Sequence, residues 1–322
     1  VKGLVFLLAV LAAGALPAGG DDRHDIQTMD LERIKARLNG HLDLLTRGIG
    51  ERSVRFPANL RRTADAIKGF FEAIRVPVHF EPYSFRDMTV SNVVAELTVP
   101  DRHARHYLVG AHYDSVAGTV GADDNASAVA VLMETAREVK AAVADGAAGV
   151  KITFVAFALE EPPAYGTRFM GSRVYAAKAR REKHSLDGMI CLEMVGYTCR
   201  QPGCQRYPFP LGLFGYPKQG DFIGIVGNFG SRSFSRRLVD SFRRNQDLPV
   251  VSLTVPLDGW ILPAVRLSDH APFWDKGFAA VMVTDSAFFR NPHYHLPSDT
   301  MDKLDLDFMA QLVKSLTGFF CD

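Results

Sequence analysis

Cysteine, uncompensated charge and long apolar runs are all scarce in this chain of 322 residues. The four cysteines include one close pair, Cys199 and Cys204, but no second Cys or His pair stands at a zinc-finger spacing from it, which disfavours a zinc site built on that pair. Lys and Arg number 37 against 36 Asp and Glu, a formal net charge of +1, so nothing in the global balance recruits nucleic acid or an acidic membrane. The expected partner is a small or neutral substrate. Beyond residue 20 no apolar segment approaches the ~20 residues that a spanning helix needs. There is no Gly-x-Ser-x-Gly elbow, no phosphate-binding loop of the P-loop type and no Gly-x-Gly-x-x-Gly fingerprint, which disfavours a serine hydrolase and nucleotide chemistry.

Hydrophobic residues, in contrast, make up 47% of the chain, enough for a large core. At the amino terminus Lys2 precedes an apolar run from Gly3 to Leu16, small residues follow through Gly20, and the chain then turns abruptly polar at Asp21-Asp22-Arg23. This pattern predicts a signal peptide over residues 1–20, with 21–322 forming one soluble domain exported to the periplasm or outside the cell. In an oxidising compartment Cys199 and Cys204, with Pro202-Gly203 turning between them, can close a disulfide, whereas Cys191 falls in an apolar run and reads as a buried thiol.

Leu31, Ile34, Leu38, Leu42 and Leu45 recur at helical spacing, and a second helix is expected over Asn59 to Ile74. Val76 to Tyr83 and Ser91 to Val99 read as strands. A regular alternation follows: strands at Tyr107 to Ala111, Val150 to Leu159, Gly188 to Val195, Ile223 to Val226 and Ala279 to Thr284, with helices at Ala126 to Ala142, Phe169 to Arg180, Ser231 to Arg244 and Leu304 to Phe320. Strands with almost no polar face, separated by helices, predict an α/β fold with a mostly parallel, mixed central sheet covered by helices on both faces, a three-layer sandwich. Thr198 to Gly220 lacks either period and reads as a long functional loop. Its Tyr207, Phe209, Phe214 and Tyr216, together with Trp260, Phe273 and Trp274, either line an apolar pocket or belong to the core.

Ligands of a parallel α/β sheet bind at the carboxyl ends of its strands. His112 and Asp114 end one strand, Glu160 and Glu161 the next long one, and Glu193 lies near the end of a third. Converging buried carboxylates must be neutralised by cations, by protonation or by Arg and Lys, and the sequence around these motifs holds almost no Arg or Lys. Metal is the simpler explanation, and the presence of histidine favours zinc. An Asp two residues beyond His112 can accept the second imidazole N–H and fix its tautomer.

Six stretches, AHYDS at 111–115, GADDNAS at 121–127, Glu160-Glu161 followed by Gly171-Ser172, LEMVG at 192–196, Ser268-Asp269-His270 and YHLPSDT at 294–300, together resemble the exported di-zinc aminopeptidases. That family of zinc exopeptidases also includes glutamate carboxypeptidase-like enzymes and glutaminyl cyclases. The resemblance implies two Zn2+ ions, His112 on the first, Asp124 bridging both, Glu161 and Glu193 completing separate sites, and His295 on the second. It makes Glu160 the general base and the substrate a peptide with a free N-terminus. The family commonly has Asp where this chain has Glu193. Asp123 is expected as an N-cap or a hydrogen-bond acceptor, Asp269 and His270 as supporting partners, and His295 rather than His293 as the ligand. A one-zinc glutaminyl cyclase and a carboxypeptidase or dipeptidase are the alternatives; the residues after Asp124 and around His295 resemble the peptidases.

Overall fold

In the computed structural model, which describes residues 29–99, 104–144 and 150–321, helix α1 (Leu31–Asp43) begins where the Asp30 carboxylate accepts the Arg33 N–H at 3.0 Å. This satisfies one of the donors that a helix start leaves free. Helix α2 (Pro57–Ala73) starts on a proline, at the position where a missing N–H costs nothing. Strands β1 (Val78–Phe85) and β2 (Met88–Thr98) form an antiparallel hairpin. The order is then β3 (Arg105–His112), α3 (Ala128–Ala144), β4 (Val150–Phe157), α4 (Gly171–Arg181), β5 (Gly188–Glu193), β6 (Ile223–Asn228), α5 (Arg232–Phe242), β7 (Val250–Val255), α6 (His270–Asp275), β8 (Ala280–Thr284) and α7 (Leu306–Cys321). The expected signal peptide lies outside the described residues.

All eight strands form one sheet in the order β1-β2-β4-β3-β5-β8-β6-β7. The β3–β4, β3–β5, β5–β8 and β6–β7 pairings are parallel, while β1–β2, β2–β4 and β6–β8 are antiparallel. Alternate side chains of each strand feed two cores. Val109, Ile152, Phe154, Ile190 and Val281 pack with α1, α2, α3, α5 and α7 on one face. Leu108, Val155, Phe157, Met189 and Cys191 pack with α4 and α6 on the other. This is the three-layer α/β arrangement expected.

Two elements add to those expected. Strand β7 alternates Val251, Leu253 and Val255 with Ser252 and Thr254, a half-exposed edge-strand pattern only six residues long. Helix α6 is only six residues long, too short for a helical period to register. The first hairpin strand runs Val78–Phe85, two residues later than expected, because its pairing with β2 continues to the Phe85–Met88 turn. Among the described residues no helix is long and apolar enough to cross a membrane.

The topology fixes where a site can form. From β3 the chain passes through α3 on one face to β4 on one side, and from β4 through α4 on the other face to β5 on the opposite side. The chain thus departs in opposite directions around β3, and the loops at that switch point leave a crevice at the carboxyl ends. Because Ala111 pairs with Ala156 and Gly110 with Cys191, those ends finish at similar height. Helix α1 seals one face through Leu38, which is fully buried. Leu38→Ala should therefore cost about 2–5 kcal/mol of stability, read as a lower urea midpoint with unchanged slope.

Candidate active site

His112 is the last residue of β3, and Asp114 follows two residues on, so both point from one side of the strand end. The Asp114 Oδ1 lies 3.3 Å from His112 Nδ1. Its two oxygens also accept the consecutive N–H groups of Glu160 and Glu161, each at 3.0 Å. The carboxylate thus holds the turn after β4 as well as facing the imidazole. Leu159, immediately before, adopts φ 58°, and this reversal turns Glu160 and Glu161 back over the strand ends.

The turn Ala122–Ser127 is fastened in the same way. Asp299 accepts the N–H groups of Asp123 at 2.9 Å and Asp124 at 3.1 Å. Gly121 opens the turn at φ 51°, where a Cβ would stand 2.1 Å from the Asp124 carbonyl oxygen, so no other residue fits. The Asp124–Asn125 peptide is cis. Asn125 donates from Nδ2 to the Leu192 carbonyl at 3.1 Å and accepts the Met194 N–H at 2.9 Å, pinning β5 on both sides of Glu193. Asp123 does not cap a helix; its carboxylate accepts the Gly196 N–H and the Asn291 Nδ2–H at 2.9 and 2.7 Å.

These fastenings bring two groups together around one residue. His112 Nε2 lies 3.3 Å from Asp124 Oδ1 and 3.5 Å from Glu193 Oε2. His295 Nε2 lies 3.2 Å from Asp124 Oδ2 and 3.5 Å from Glu161 Oε1. Within each set, one nitrogen or oxygen from every residue lies within 4.8 Å of the others. Both nitrogens of His112 and Oε1 of Glu161 are buried with no hydrogen-bond partner. Orphaned donor atoms at this spacing, with mixed imidazole and carboxylate chemistry, fit a divalent metal such as zinc in each group. Glu160 is buried beside both and belongs to neither. His293 turns away, bonding Ser298 Oγ through Nδ1 at 2.9 Å.

Several contributors escaped the sequence. Ser268, rather than its neighbours Asp269 and His270, donates a hydrogen bond to Glu193 Oε2. His270 pairs with the Val265 carbonyl at 2.8 Å, while Asp269 is buried nearby. Arg52 is fully buried beneath the site. Its guanidinium donates to the carbonyls of Tyr113 at 2.8 Å, Val120 at 2.6 Å and Gly121 at 2.9 Å, joining the loops that carry His112 and Asp124. No local pattern distinguishes this arginine, which follows Glu51 in a stretch without any motif.

An apolar pocket opens beside the two groups. Glu193 and Tyr294 join Tyr207, Leu211, Tyr216 and Met282 in lining it. The Tyr294 ring stacks on His295 with centroids 3.7 Å apart. Of the aromatic residues expected either here or in the core, Phe273 and Trp274 are core. Trp260 is exposed, with Arg266 over its ring at 3.9 Å.

Burial dominates the titration of this cluster. It raises Glu160 well above the carboxylate range, Glu161 to about 8, and Asp269 and Asp299 to about 7. Burial works against the charged imidazoles, but the facing carboxylates outweigh it, raising His112 well above its usual value and His295 to about 10. Burial likewise opposes the Asp124 charge, and the facing imidazoles of His112 and His295 overcome it, so its acid is held below the usual range. Every raised group binds more protons folded than unfolded, so each withdraws stability as pH rises from its unfolded value through its folded one. Metal-stripped protein should accordingly lose thermal stability from about pH 5 to about pH 8, with added Zn2+ restoring most at the upper end. A melting temperature that rises over that interval without metal contradicts this account of the cluster.

Comparison with known proteins agrees with this geometry. The model of peptidase family M28 matches residues 92–224. The uncharacterized protein YfbL of Escherichia coli (strain K12) is 39% identical over 277 residues, spanning 84% of this chain and 82% of that protein. Leucine aminopeptidase 1 of Arthroderma otae is 27% identical over 234 residues, 69% of this chain, and the match spans only 55% of the fungal protein. Among solved structures, LapB from Legionella pneumophila superposes with a TM-score of 0.68 at 20% identity, covering 91% of this chain and 72% of LapB. A Porphyromonas gingivalis glutaminyl cyclase superposes at 0.63 with 15% identity, covering 92% and 99%. At such identities the structures establish the shared fold alone. With the family match and the YfbL likeness together, the chain belongs to peptidase family M28.

Proposed function

We propose that this protein is a zinc aminopeptidase that removes N-terminal residues from peptides. The observation that carries this reading is the pair of candidate metal groups sharing Asp124, with Glu160 buried beside both and outside either. His112, Asp124 and Glu193 hold one Zn2+, and Asp124, Glu161 and His295 the other. Bound there, the pair supplies a water of lowered pKa and polarises the scissile carbonyl. Glu193 reaches one methylene further than the Asp usual in the family, and the Ser268 hydroxyl donates to the same Oε2 that faces His112.

The chain's own groups do the rest. Glu160, buried beside both groups, is placed to take a proton from the attacking water and return it to the leaving amine; burial raises its acid, and the metal charges would oppose that rise. Asp114 positions it by gripping its backbone N–H and that of Glu161. Asp114 also faces His112 Nδ1 and orients that ring. Tyr294, stacked on His295 and lining the pocket, brings its hydroxyl near the site carboxylates, where it can donate to a substrate oxygen. The apolar pocket takes the side chain of the first residue, favouring large aliphatic or aromatic ones.

Two features support export of one catalytic domain: the charged-apolar-small pattern of residues 1–20, and the Cys199–Cys204 disulfide, which persists in oxidising surroundings. A carboxypeptidase or dipeptidase uses the same metal residues, so substrate chemistry decides between them. Zinc-loaded protein should hydrolyse leucyl and phenylalanyl amides with a free amino group and leave N-blocked analogues intact; equal cleavage of both contradicts the aminopeptidase reading. Glu160→Gln should retain both metals by elemental analysis while turnover falls roughly 10²–10⁴-fold.

A further inference from the structure

The loop from Cys199 to Gly220 contributes Tyr207, Leu211 and Tyr216 to the lining of the apolar pocket, and the turn after β8 contributes Phe288 and Phe289. What fixes the loop against that turn is a small set of contacts at the loop's neck. The Cys199–Cys204 disulfide closes a short ring there, and Cys199 and Gly220 exchange backbone hydrogen bonds of 2.8 and 2.6 Å. Inside the neck, Gln205 is buried, and its amide is fully engaged. Nε2 donates to Ser286 Oγ at 2.9 Å and to the Arg206 carbonyl at 2.8 Å, and Oε1 accepts from Arg290 Nε at 2.8 Å.

Arg290 meets both ends of the loop. Besides Gln205 at the start, its Nη1 donates to the Tyr197 carbonyl at 3.3 Å and its Nη2 to the Phe222 carbonyl at 2.9 Å, beyond the loop's end. The side chain runs so close to Gly220 that a Cβ there would lie 2.5 Å from Nε. Arg290 also follows Phe288 and Phe289 directly, and the Arg206 N–H donates to the Phe289 carbonyl at 2.8 Å. One buried guanidinium therefore touches the loop's entry, its exit and the opposing turn. Neither Gln205 nor Arg290 lines the pocket.

We propose that Gln205 and Arg290 are specificity-positioning residues, which set the pocket's width by locking the neck of the 199–220 loop to the turn after β8. This rests on the peptidase reading of the pocket, though its structural core does not. Loosening the neck lets the Tyr207–Tyr216 wall move, so discrimination between large and small first residues falls while the metal groups, held by other contacts, keep their placement.

The test compares wild type with Gln205→Ala, Gln205→Glu and Gly220→Ala as full-length, zinc-loaded proteins. Hydrogen exchange is read first: amides of 199–220 should exchange faster in Gln205→Ala and Gly220→Ala, with protection at the β3, β4 and β5 ends unchanged. Gln205→Glu keeps an acceptor for Arg290 but loses the amide donor to the Arg206 carbonyl, so its loop exchange should fall between wild type and Gln205→Ala. In kinetics, Gln205→Ala should raise KM for leucyl and phenylalanyl amides roughly tenfold, with kcat within about twofold and KM for the alanyl amide unmoved. Unchanged exchange in 199–220 overturns the proposal, as does an equal KM change for all three amides. Wild type that cleaves none of them refutes the aminopeptidase reading instead, and the exchange result then decides the proposal alone.

Discussion

Asp124 stands between two imidazoles in a crevice crowded with other carboxylates, and the repulsion among these acids is the constraint the rest of the site answers. Isolated, such charges would be driven to protonate or to avoid burial. Three kinds of compensation are visible. His112 and His295 face the Asp124 carboxylate directly. Asp114 and Asp299 each have two backbone N–H groups as donors, so these two buried acids are solvated by the peptide itself. Arg52 contributes a full positive charge from below, its own pKa lowered to about 10 because burial outweighs the attraction of Asp114 and its neighbours. None of these supplies the bonds that the orphaned atoms of His112 and Glu161 still lack.

The sheet makes that concentration of charge possible. Parallel strands buried on both faces leave only their ends for polar residues, and β3, β4 and β5 end side by side at the switch in winding direction. The layers then divide the labour. Helices on the two faces supply the apolar burial that stabilises the fold, while the loops above carry chemistry that is itself costly to bury. The antiparallel hairpin and the edge strand β7 extend the sheet away from this centre and bring no candidate metal residue.

The strand ends and the residues that converge there were legible in the sequence because they are local events. An apolar run stops, and an acid or a histidine follows within a residue or two. Helix α1 was legible for a similar reason, its buried Ile34, Leu38 and Leu42 being a repeat any reading can count. What could not be seen were pairings made only by folding. Asp299 holds the backbone of Asp123 across 176 positions, and Ser268 reaches Glu193 across 75. Arg52 contradicts the impression that cations are absent from the neighbourhood, since it is near in space and remote in sequence. The aromatic residues show the same limit. Tyr207 and Tyr216 line the pocket whereas Phe273 and Trp274 fill the core, although both sets meet Val265 on one face of the sheet.

The paired grips of Asp114 and Asp299 fall on peptide N–H groups, which every residue except proline offers alike. The grip therefore reads the path of the chain and is blind to the side chains along it. Residues between the gripped turns and the pocket are free to diverge, and a frame of this kind can be handed down nearly intact while its loops are rewritten for other substrates. LapB, which shares one residue in five with this chain, traces the same fold over most of its length.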